Sequence, residues 1–263
     1  MTSPRNPGEL SVNPTGRFTG RVEAYRRYRS RYPREIIPLL HEKCGLTAES
    51  IVADIGAGTG MLAELFLENG NSVFAVEPNA EMRAACEELA AQYPRLTCLG
   101  GTAENTRLAD RSIDLIAAGR AFHWFDHAKC RTEFRRILRP DGWVVLAGQG
   151  PRRREEPVSR DYQEILRQHG IDYSRLYSPY NVKEAVRGFF EGGSLLESEF
   201  PGYEELSYEG LEGQTLSLSV TPQPDHPGFP AMQEALKHYF DKYQRDGKMR
   251  LPMTCHIYMG QLG

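Results

Sequence analysis

The residues with the clearest chemical potential lie between Ile51 and Gly60, in the sequence I-V-A-D-I-G-A-G-T-G. A β-branched apolar run precedes three glycines at alternate positions, and apolar residues at helical spacing follow. This pattern predicts a strand, a tight loop and a helix. Because glycine tolerates positive φ and has no Cβ, Gly56 and Gly58, with Gly60, allow a ligand to lie against the main chain at the helix N-terminus. A plain turn is the alternative, but three glycines weaken the local fold, and such a cost usually has a packing or functional reason.

Spacing separates two kinds of nucleotide site. The dinucleotide fingerprint G-x-G-x-x-G requires its third glycine where this chain has Met61, so that match is partial. Asp54 ends the predicted strand, and D-x-G-x-G-x-G, with Val52, resembles motif I of the class I S-adenosylmethionine (SAM)-dependent methyltransferases. The resemblance implies that Asp54 and the three glycines bind SAM.

An acidic residue follows the second predicted strand, residues 73–76. Glu77 stands about 20 residues beyond the glycines, where a carboxylate can accept hydrogen bonds from both ribose hydroxyls. An NAD enzyme would place an acid at the same point, so Glu77 alone does not separate the two kinds of site. The string V-E-P-N-x-x-M is similar to the segment after motif I in the same methyltransferases. This resemblance implies that Pro78 and Met82 also bind the cofactor.

A third loop follows the predicted strand at 96–99. Its sequence G-T-A-E resembles the family's G-D-A-E loop, which implies that Thr102, Ala103 and Glu104 adjoin the adenine. Thr102 replaces the family's acid, so adenine recognition would use the threonine hydroxyl, Glu104 or the backbone. A simple turn is the alternative, because Gly and Thr are common in loops.

Aromatic residues and a histidine follow the fourth predicted strand, residues 112–118. The string G-R-A-F-H-W-F-D begins at Gly119, at the strand end where open α/β sheets bind ligands. A-F-H-W-F-D is similar to many small-molecule methyltransferases, which implies that Ala121 contacts SAM and that His123 and Trp124 lie near the transferable methyl. His123 is the candidate general base if the acceptor is a hydroxyl or an amine. A packed or merely polar histidine is the alternative.

A metal site is not expected here. His123, Asp126 and His127 have a spacing that a zinc site can use, but no third histidine or cysteine is suitably placed nearby.

The N-terminal segment is predicted to cap this site. Residues 1–17 have the composition of a poorly ordered tail, and 18–46 are predicted to form two cap helices, over 20–32 and 36–46. The first is rich in tyrosine and arginine, which fits either a solvated helix or an RNA-binding face. The arginines of this helix, together with the one that follows it, are Arg21, Arg26, Arg27, Arg29, Arg31 and Arg34.

The same segment has a third interpretation. In methyltransferases of the trans-aconitate and small-molecule kind, a sequence like Y-x-x-Y-R-x-x-Y-P covers the cofactor. This resemblance implies that Tyr25, Tyr28, Arg29 and Tyr32 close the site and that Arg29 meets a carboxylate.

The remaining elements predict an α/β fold. Residues 47–150 alternate strands with helices, which predicts a doubly wound, Rossmann-like parallel sheet as the SAM-binding core. Residues 151–196 are predicted to insert helices at 161–169 and 181–190 as a lid that excludes water. Residues 197–263 are predicted to add short strands near 197–200 and 203–207, two helices and a final strand at 249–259. The resemblance implies that this last strand is antiparallel and completes a seven-stranded sheet.

Composition narrows the class of protein. The chain has 263 residues, 40% hydrophobic and 25% charged residues and a net charge of −3, as expected for one domain of an ordinary enzyme rather than a dedicated nucleic-acid binder. It has neither a run of about 20 apolar residues nor a signal-peptide pattern, so we expect a cytoplasmic location. The five scattered cysteines are expected to be free thiols.

These observations predict a methyltransferase that moves the methyl of SAM to an oxygen, nitrogen or carboxylate of a small molecule. An RNA methyltransferase, a non-catalytic SAM-binding protein and a nicotinamide oxidoreductase are the alternatives. The acceptor and the oligomeric state stay open, because generic cap residues do not specify them.

Overall fold

A seven-stranded sheet organises the protein, in a computed structural model that describes residues 19–151, 156–171, 173 and 182–263. The spatial strand order is β3-β2-β1-β4-β5-β7-β6. Strands β1 to β5 pair in parallel, and β7 is antiparallel to both of its neighbours. In chain order the strands are β1 Ile51–Ile55, β2 Ser72–Val76, β3 Leu96–Leu99, β4 Ile113–Gly119, β5 Leu138–Pro151, β6 Leu196–Leu206 and β7 Met249–Gly260. The predicted doubly wound sheet with an antiparallel last strand is confirmed.

Helices flank this sheet. In chain order they are α1 Val22–Tyr28, α2 Ile36–Cys44, α3 Met61–Glu68, α4 Ala80–Glu87, α5 His127–Ile137, α6 Pro157–His169, α7 Val182–Phe189, α8 Tyr208–Leu216 and α9 Phe229–Tyr243. Two short 3₁₀ helices cover 88–91 and 122–124. None of the helices in the described part of the chain has both the length and the apolar character that crossing a bilayer requires.

Alternate residues of the strands enter two hydrophobic cores. Val52 and Leu115 pack with residues of α2 and α3, whereas Ala53 and Ile116 pack with residues of α5. Both faces are buried because successive side chains of a strand point to opposite faces. The sequences of the parallel strands are therefore continuous apolar runs.

The site is positioned by the sheet order. The chain leaves β1 toward β2 on one side and returns to β4 on the other, so the connections diverge beside β1. In open α/β sheets, ligands bind at the carboxyl ends of strands where the strand order reverses in this way. The loops that follow β1, β2 and β4 meet there.

Some predicted boundaries were wrong. Helix α1 ends at Tyr28 rather than 32, because Arg29 is already extended and the residue before Pro33 disfavours helix. The predicted pair of short strands at 197–200 and 203–207 is one strand, β6, which pairs with β7 over its whole length. Pro201 lies in β6 at the sheet edge, where proline, which has no N–H to donate, is tolerated.

The lid predicted at 151–196 stays a prediction, because part of that segment lies outside the described residues. Helix α6 packs against α9, and α7 packs against α5. Helix α1, part of the predicted N-terminal cap, packs against α8 and approaches α4. The predicted tail at 1–17 and the charged residues 152–155 lie outside the described residues. The domain boundaries that we expect from the sequence stay predictions.

Candidate active site

One cleft opens at the carboxyl ends of β1, β2 and β4 and encloses about 770 Å³, including space open to solvent. The loop after β1, the ends of β2 and β4, the loop after β3 and helix α1 all contribute to it. Its lining residues are Tyr25, Gly56, Gly58, Glu77, Pro78, Met82, Thr102, Ala103, Glu104, Gly119, Arg120, Ala121, Trp124 and Phe125.

The three glycines after β1 have different roles, although all have positive φ. A Cβ at Gly58 would meet no atom within 4 Å, so this main chain faces open space. A Cβ at Gly56 would lie 2.7 Å from the Cβ of Ala121, and one at Gly60 would lie 2.7 Å from Cδ1 of Leu89. Gly58 therefore exposes the backbone to the cleft, whereas the other two glycines allow the loop to pack against its neighbours.

Glu77 lies at the end of β2 and is 8% exposed. Its Oε2 accepts a hydrogen bond from the Gly58 N–H at 2.8 Å, and its Oε1 accepts one from the Asn79 N–H at 2.8 Å. Burial raises the pKa of Glu77, and these two amides offset part of that rise. Each carboxylate oxygen still has a lone pair, so Glu77 can accept from two further donors, as a ribose diol would supply.

Asp54 does not line the cleft, although the motif predicts cofactor binding. It is 1% exposed beneath the glycine loop, and neither carboxylate oxygen has a hydrogen-bond partner. Burial raises the pKa of Asp54 to about 7; the Ala63 amide acts in the opposite direction, and the charge of Glu77 adds to the rise. A direct contact between Asp54 and SAM therefore remains a prediction without geometric support.

The loop after β3 is held at both ends of its turn. Thr102 and Asn105 exchange backbone hydrogen bonds of 3.1 and 3.2 Å, and Ala103 is buried. The Asp126 N–H donates to Oε1 of Glu104 at 2.8 Å, which ties this loop to the segment after β4. The side chain of Thr102 is exposed at the cleft wall.

Glu133 of α5 fixes the end of the same loop. Its Oε1 accepts from the N–H of Thr106 at 2.8 Å and from the Thr106 hydroxyl at 2.6 Å. The Arg136 guanidinium, followed by the Thr106 donors, outweighs desolvation and lowers the pKa of Glu133 to about 2. The sequence pattern contained no indication of this anchor, because the two partners lie 27 residues apart.

Some side chains of the segment after β4 line the cleft, and others lie at the surface. Ala121, Trp124 and Phe125 line the cleft, whereas His123 is exposed at its margin, with its ring centroid 4.8 Å from that of Trp124. The pKa of His123 is lowered, first by desolvation and then by the charge of Arg29. The imidazole of His123 is therefore neutral at neutral pH.

A metal site is not indicated. The His127 ring stacks on Phe122 at 4.1 Å between centroids, and its Nε2 lies 3.1 Å from the carbonyl oxygen of Phe122. Within the described ranges, no group of three or more His, Cys, Asp or Glu residues is arranged to hold a metal ion.

The four predicted cap residues differ in their position relative to the cleft. Only Tyr25 lines the cleft. The Tyr28 hydroxyl donates to Glu209 at 2.6 Å, and its ring contacts α8 where a Cβ on Gly213 would overlap it. Tyr32 is buried beside Gly119, and Arg29 is half-buried behind Tyr25.

The arginines of the N-terminal segment do not form a free basic face. Four of them pair with glutamates of neighbouring elements, and Arg21 donates to main-chain carbonyls of residues 216, 218 and 221. Pairing with acids leaves little positive potential for a phosphate backbone, which argues against the RNA-binding alternative. The pairs are Arg26–Glu88, Arg27–Glu209, Arg31–Glu64 and Arg34–Glu68.

Arg120 and Phe125 line the cleft but were not among the predicted site residues. Both belong to the string that follows β4. A charged side chain directly after a central parallel strand was a usable signal, because that position lies at the ligand-binding edge of the sheet.

Comparisons with known proteins agree with this geometry. Residues 53–146 match the family described as a methyltransferase domain. A protein of Mycobacterium tuberculosis named as an uncharacterized methyltransferase is 41% identical over 146 residues, which cover 56% of this chain and 55% of that protein. The chain thus matches about half the length of the curated relatives it resembles.

Solved structures extend the likeness in fold to most of the chain. A candidate type II methyltransferase from Anaeromyxobacter dehalogenans superposes with a TM-score of 0.62 and 22% identity, over 89% of this chain and 97% of that one. The [4+2]-cyclase SpnF also superposes, with a TM-score of 0.52, 17% identity and coverage of 89% and 84%. The fold alone therefore does not establish methyl transfer. Residues 53–146 are thus similar to a methyltransferase domain, and the strand order places the chain in the Rossmann-like fold of the solved structures on which it superposes.

Proposed function

We propose that this protein transfers a methyl group from SAM to a small-molecule acceptor. The observation that carries the proposal is the meeting of two features at one cleft. Gly58 presents bare main chain to open space, and the Glu77 carboxylate beside it retains acceptor capacity for a diol. The family match at 53–146 supports SAM, rather than another nucleotide, as the ligand.

We assign the lining residues to contacts with different parts of SAM. Glu77 would accept from the ribose hydroxyls, and the main chain at Gly58 would adjoin the methionine part. Pro78 and the buried Met82 would supply apolar contact, and the loop at 102–104 would meet the adenine. Ala121 and Trp124, which follow β4, would then lie beside the sulfonium.

SAM supplies an electrophilic methyl when bound, so the protein mainly has to align the acceptor and exclude water. Helix α1 places Tyr25 at the cleft, and Phe125 and Trp124 add aromatic surface on the side of β4. Arg21 holds the start of α1 against α8 through bonds of 2.9 and 2.7 Å to the carbonyls of Leu216 and Leu218. This attachment fixes the cover over the reacting groups.

His123 is a candidate base only for an acceptor that must lose a proton. A neutral imidazole at neutral pH can accept one, but the side chain lies at the margin of the cleft rather than in its lining. If His123→Ala leaves the shape of the pH-rate profile unchanged, the base role is wrong and His123 only positions its neighbours.

Calorimetric titration with SAM and with its demethylated product, S-adenosylhomocysteine, tests donor binding. Glu77→Gln removes the anionic acceptor, and we expect it to weaken both ligands by at least about tenfold, since hydrogen bonds to a charged group contribute about 1.5–3 kcal/mol. The matched control is Glu87→Gln on α4, an exposed residue outside the cleft lining. Absence of binding by folded wild-type protein would contradict the proposal.

Turnover distinguishes an enzyme from a non-catalytic SAM-binding protein. Incubation with labelled SAM and a panel of small carboxylates, phenols and amines should yield a labelled organic product. A folded protein that binds SAM but labels no member of the panel, while labelling transfer RNA, would favour the RNA alternative over ours.

A further inference from the structure

Two cysteine thiols lie side by side next to the cleft. Cys86 is on α4, which follows Glu77, and Cys98 is on β3, which leads to the loop at 102–104. Their Sγ atoms are 3.5 Å apart, within hydrogen-bond distance for sulfur. All five cysteines belong to the part of the chain that the structure describes, and there this is the one pair of thiols at such a distance. A disulfide between these two therefore needs the least displacement of sulfur.

The two thiols differ in their access to solvent. Cys86 is fully buried, whereas Cys98 is partly exposed on β3, which is the edge strand of the sheet. A small oxidant can therefore reach Cys98 but not Cys86. The first bond to an external reagent would form at Cys98, and Cys86 would react after it.

The surroundings also make Cys98 the thiol that ionises first. The hydrogen bond with Cys86 lowers the pKa of Cys98; desolvation and the charge of Glu87 oppose this effect, and the charge of Arg83 adds to it. The same hydrogen bond, together with burial, raises the pKa of Cys86. Because the thiolate is the nucleophile, an accessible Cys98 with a neutral thiol behind it has the arrangement of an attacking and a resolving cysteine.

Helix α4 connects Cys86 to the cleft. Met82 lies one helical turn before Cys86 on the same face, is 2% exposed and lines the cleft. Nη1 of Arg83 donates to the Glu77 carbonyl at 2.8 Å, which holds this helix to the end of β2. A displacement of Cys86 is therefore carried to the residues that we assign to SAM.

Cys86 also packs against the glycine loop. A Cβ on Gly60 would lie 2.8 Å from Sγ of Cys86, so this sulfur occupies the space that the missing side chain leaves. An S–S bond measures about 2.05 Å, so the two sulfurs would have to approach each other by about 1.5 Å. Because protein interiors are close-packed, neighbouring groups must move with them. The sulfur that supports Gly60 would shift toward β3, and the loop would lose this contact.

We propose that Cys86 and Cys98 are a redox-modification site, at which a low-molecular-weight disulfide converts the two thiols to an intramolecular bridge that weakens donor binding at the adjacent cleft. The effect on the donor rests on the proposed function. Formation of the bridge does not, so the two parts are measured separately.

The reaction consists of two thiol–disulfide exchanges, here with oxidised glutathione. The Cys98 thiolate attacks one glutathione sulfur, the S–S bond of glutathione breaks, and one glutathione thiolate leaves. The Cys86 thiol then gives its proton to the departing thiolate and attacks Sγ of Cys98, which releases the second glutathione. The two protein thiols lose two electrons, and one glutathione disulfide is reduced to two thiols.

Thiol mapping in the full-length wild-type protein tests whether the bridge forms. Reduced protein is incubated with oxidised glutathione, alkylated with iodoacetamide under denaturing conditions and analysed by mass spectrometry. We expect the loss of two alkylated thiols, a pair of peptides joined through Cys86 and Cys98, and full reversal by dithiothreitol. Glutathione that stays attached to Cys98, or no loss of these two thiols, overturns the inference without any variant.

Variants assign the roles of the two thiols. In Cys86→Ala, glutathione should remain attached to Cys98, and in Cys98→Ser the buried Cys86 should stay reduced. Cys44→Ser is the control and should form the bridge like the wild type, because Cys44 is also partly exposed but burial raises its pKa to about 12. Oxidation of Cys86 in Cys98→Ser at the wild-type rate would overturn the assigned order. Thermal unfolding of each variant reports whether it is folded.

Calorimetry tests the effect of the bridge on the cleft. S-adenosylhomocysteine is titrated into reduced, oxidised and re-reduced wild-type protein. We expect oxidation to weaken binding at least about fivefold, since displacements of about 1 Å in a site are costly, and reduction to restore it. Cys98→Ser should keep its affinity after the same treatment. A mapped bridge with unchanged or tighter binding overturns the link to the cleft.

The two measurements also separate this inference from the proposed function. If reduced wild-type protein binds no S-adenosylhomocysteine, the proposed function fails. The thiol mapping then still decides whether Cys86 and Cys98 form the bridge.

Discussion

The buried carboxyl of Asp54 leads to a measurable dependence of stability on pH. The side chain is 1% exposed, its oxygens have no hydrogen-bond partner, and burial raises its pKa from the usual 3.8 to about 7. A carboxyl group whose pKa is raised in the fold stabilises the protein fully below its unfolded pKa. That contribution is lost as the pH rises toward the folded value. For Asp54 the window of loss runs from about pH 4 to about pH 7.

The magnitude follows from the two pKa values. Their difference is about 3 pH units, and each unit corresponds to about 1.4 kcal/mol, so ionising Asp54 in the ligand-free fold costs about 4 kcal/mol. Asp54→Asn keeps the size of the side chain and cannot ionise. We therefore expect the free energy of unfolding of the variant to exceed that of the wild type by about 4 kcal/mol at about pH 8. At about pH 4 the two should differ by less than about 1 kcal/mol.

Urea denaturation of the ligand-free protein, followed by circular dichroism at several pH values, measures this difference. Asp225→Asn, at an exposed position, is the control and should not change the pH dependence. If wild type and Asp54→Asn lose stability in parallel from pH 4 to pH 8, Asp54 does not titrate in this range and the argument from burial is wrong.

The remaining predictions concern the loops and the cover. Glu133→Gln should lower the free energy of unfolding by about 2 kcal/mol at neutral pH, because Thr106 loses a charged acceptor. The difference should diminish as the pH falls from about 4.5 toward 2, which denaturation at both pH values measures. Gly213→Ala should displace the Tyr28 ring and cost about 1–3 kcal/mol, with faster amide exchange in α1 as the readout. Gly58→Ala should leave stability within about 1 kcal/mol but place a methyl in the cleft, so an unchanged SAM affinity in calorimetry would contradict our placement of the donor.

Local sequence patterns determined the elements of the candidate site. Alternate glycines after a β-branched run, and an acid at the end of the next strand, predicted the loop at Gly58 and the position of Glu77. Both residues line the cleft. These features were predictable because each depends on the conformation of a few consecutive residues and on the rule that parallel strands present their carboxyl ends at one edge.

Charge pairing was beyond the reach of such patterns. Arg26 and Arg27 are adjacent in the sequence, yet their partners Glu88 and Glu209 lie 62 and 182 residues away. The sequence alone therefore fitted a basic face, whereas in the folded protein these arginines pair with glutamates. Arg120 was overlooked for the converse reason: among the residues that the structure describes it has no acidic partner, and this is visible only when its surroundings are known.

The sequence by itself determined the order and type of the main elements, the side-chain-free loop and the acid beside it, because short-range sterics and periodicity control them. Only the tertiary structure decided that Asp54 lies beneath the loop rather than in the cleft and which of the predicted cap residues line it. Burial, covering contacts and uncompensated charge depend on residues that are distant in the chain. They arise only when the strands and helices pack together.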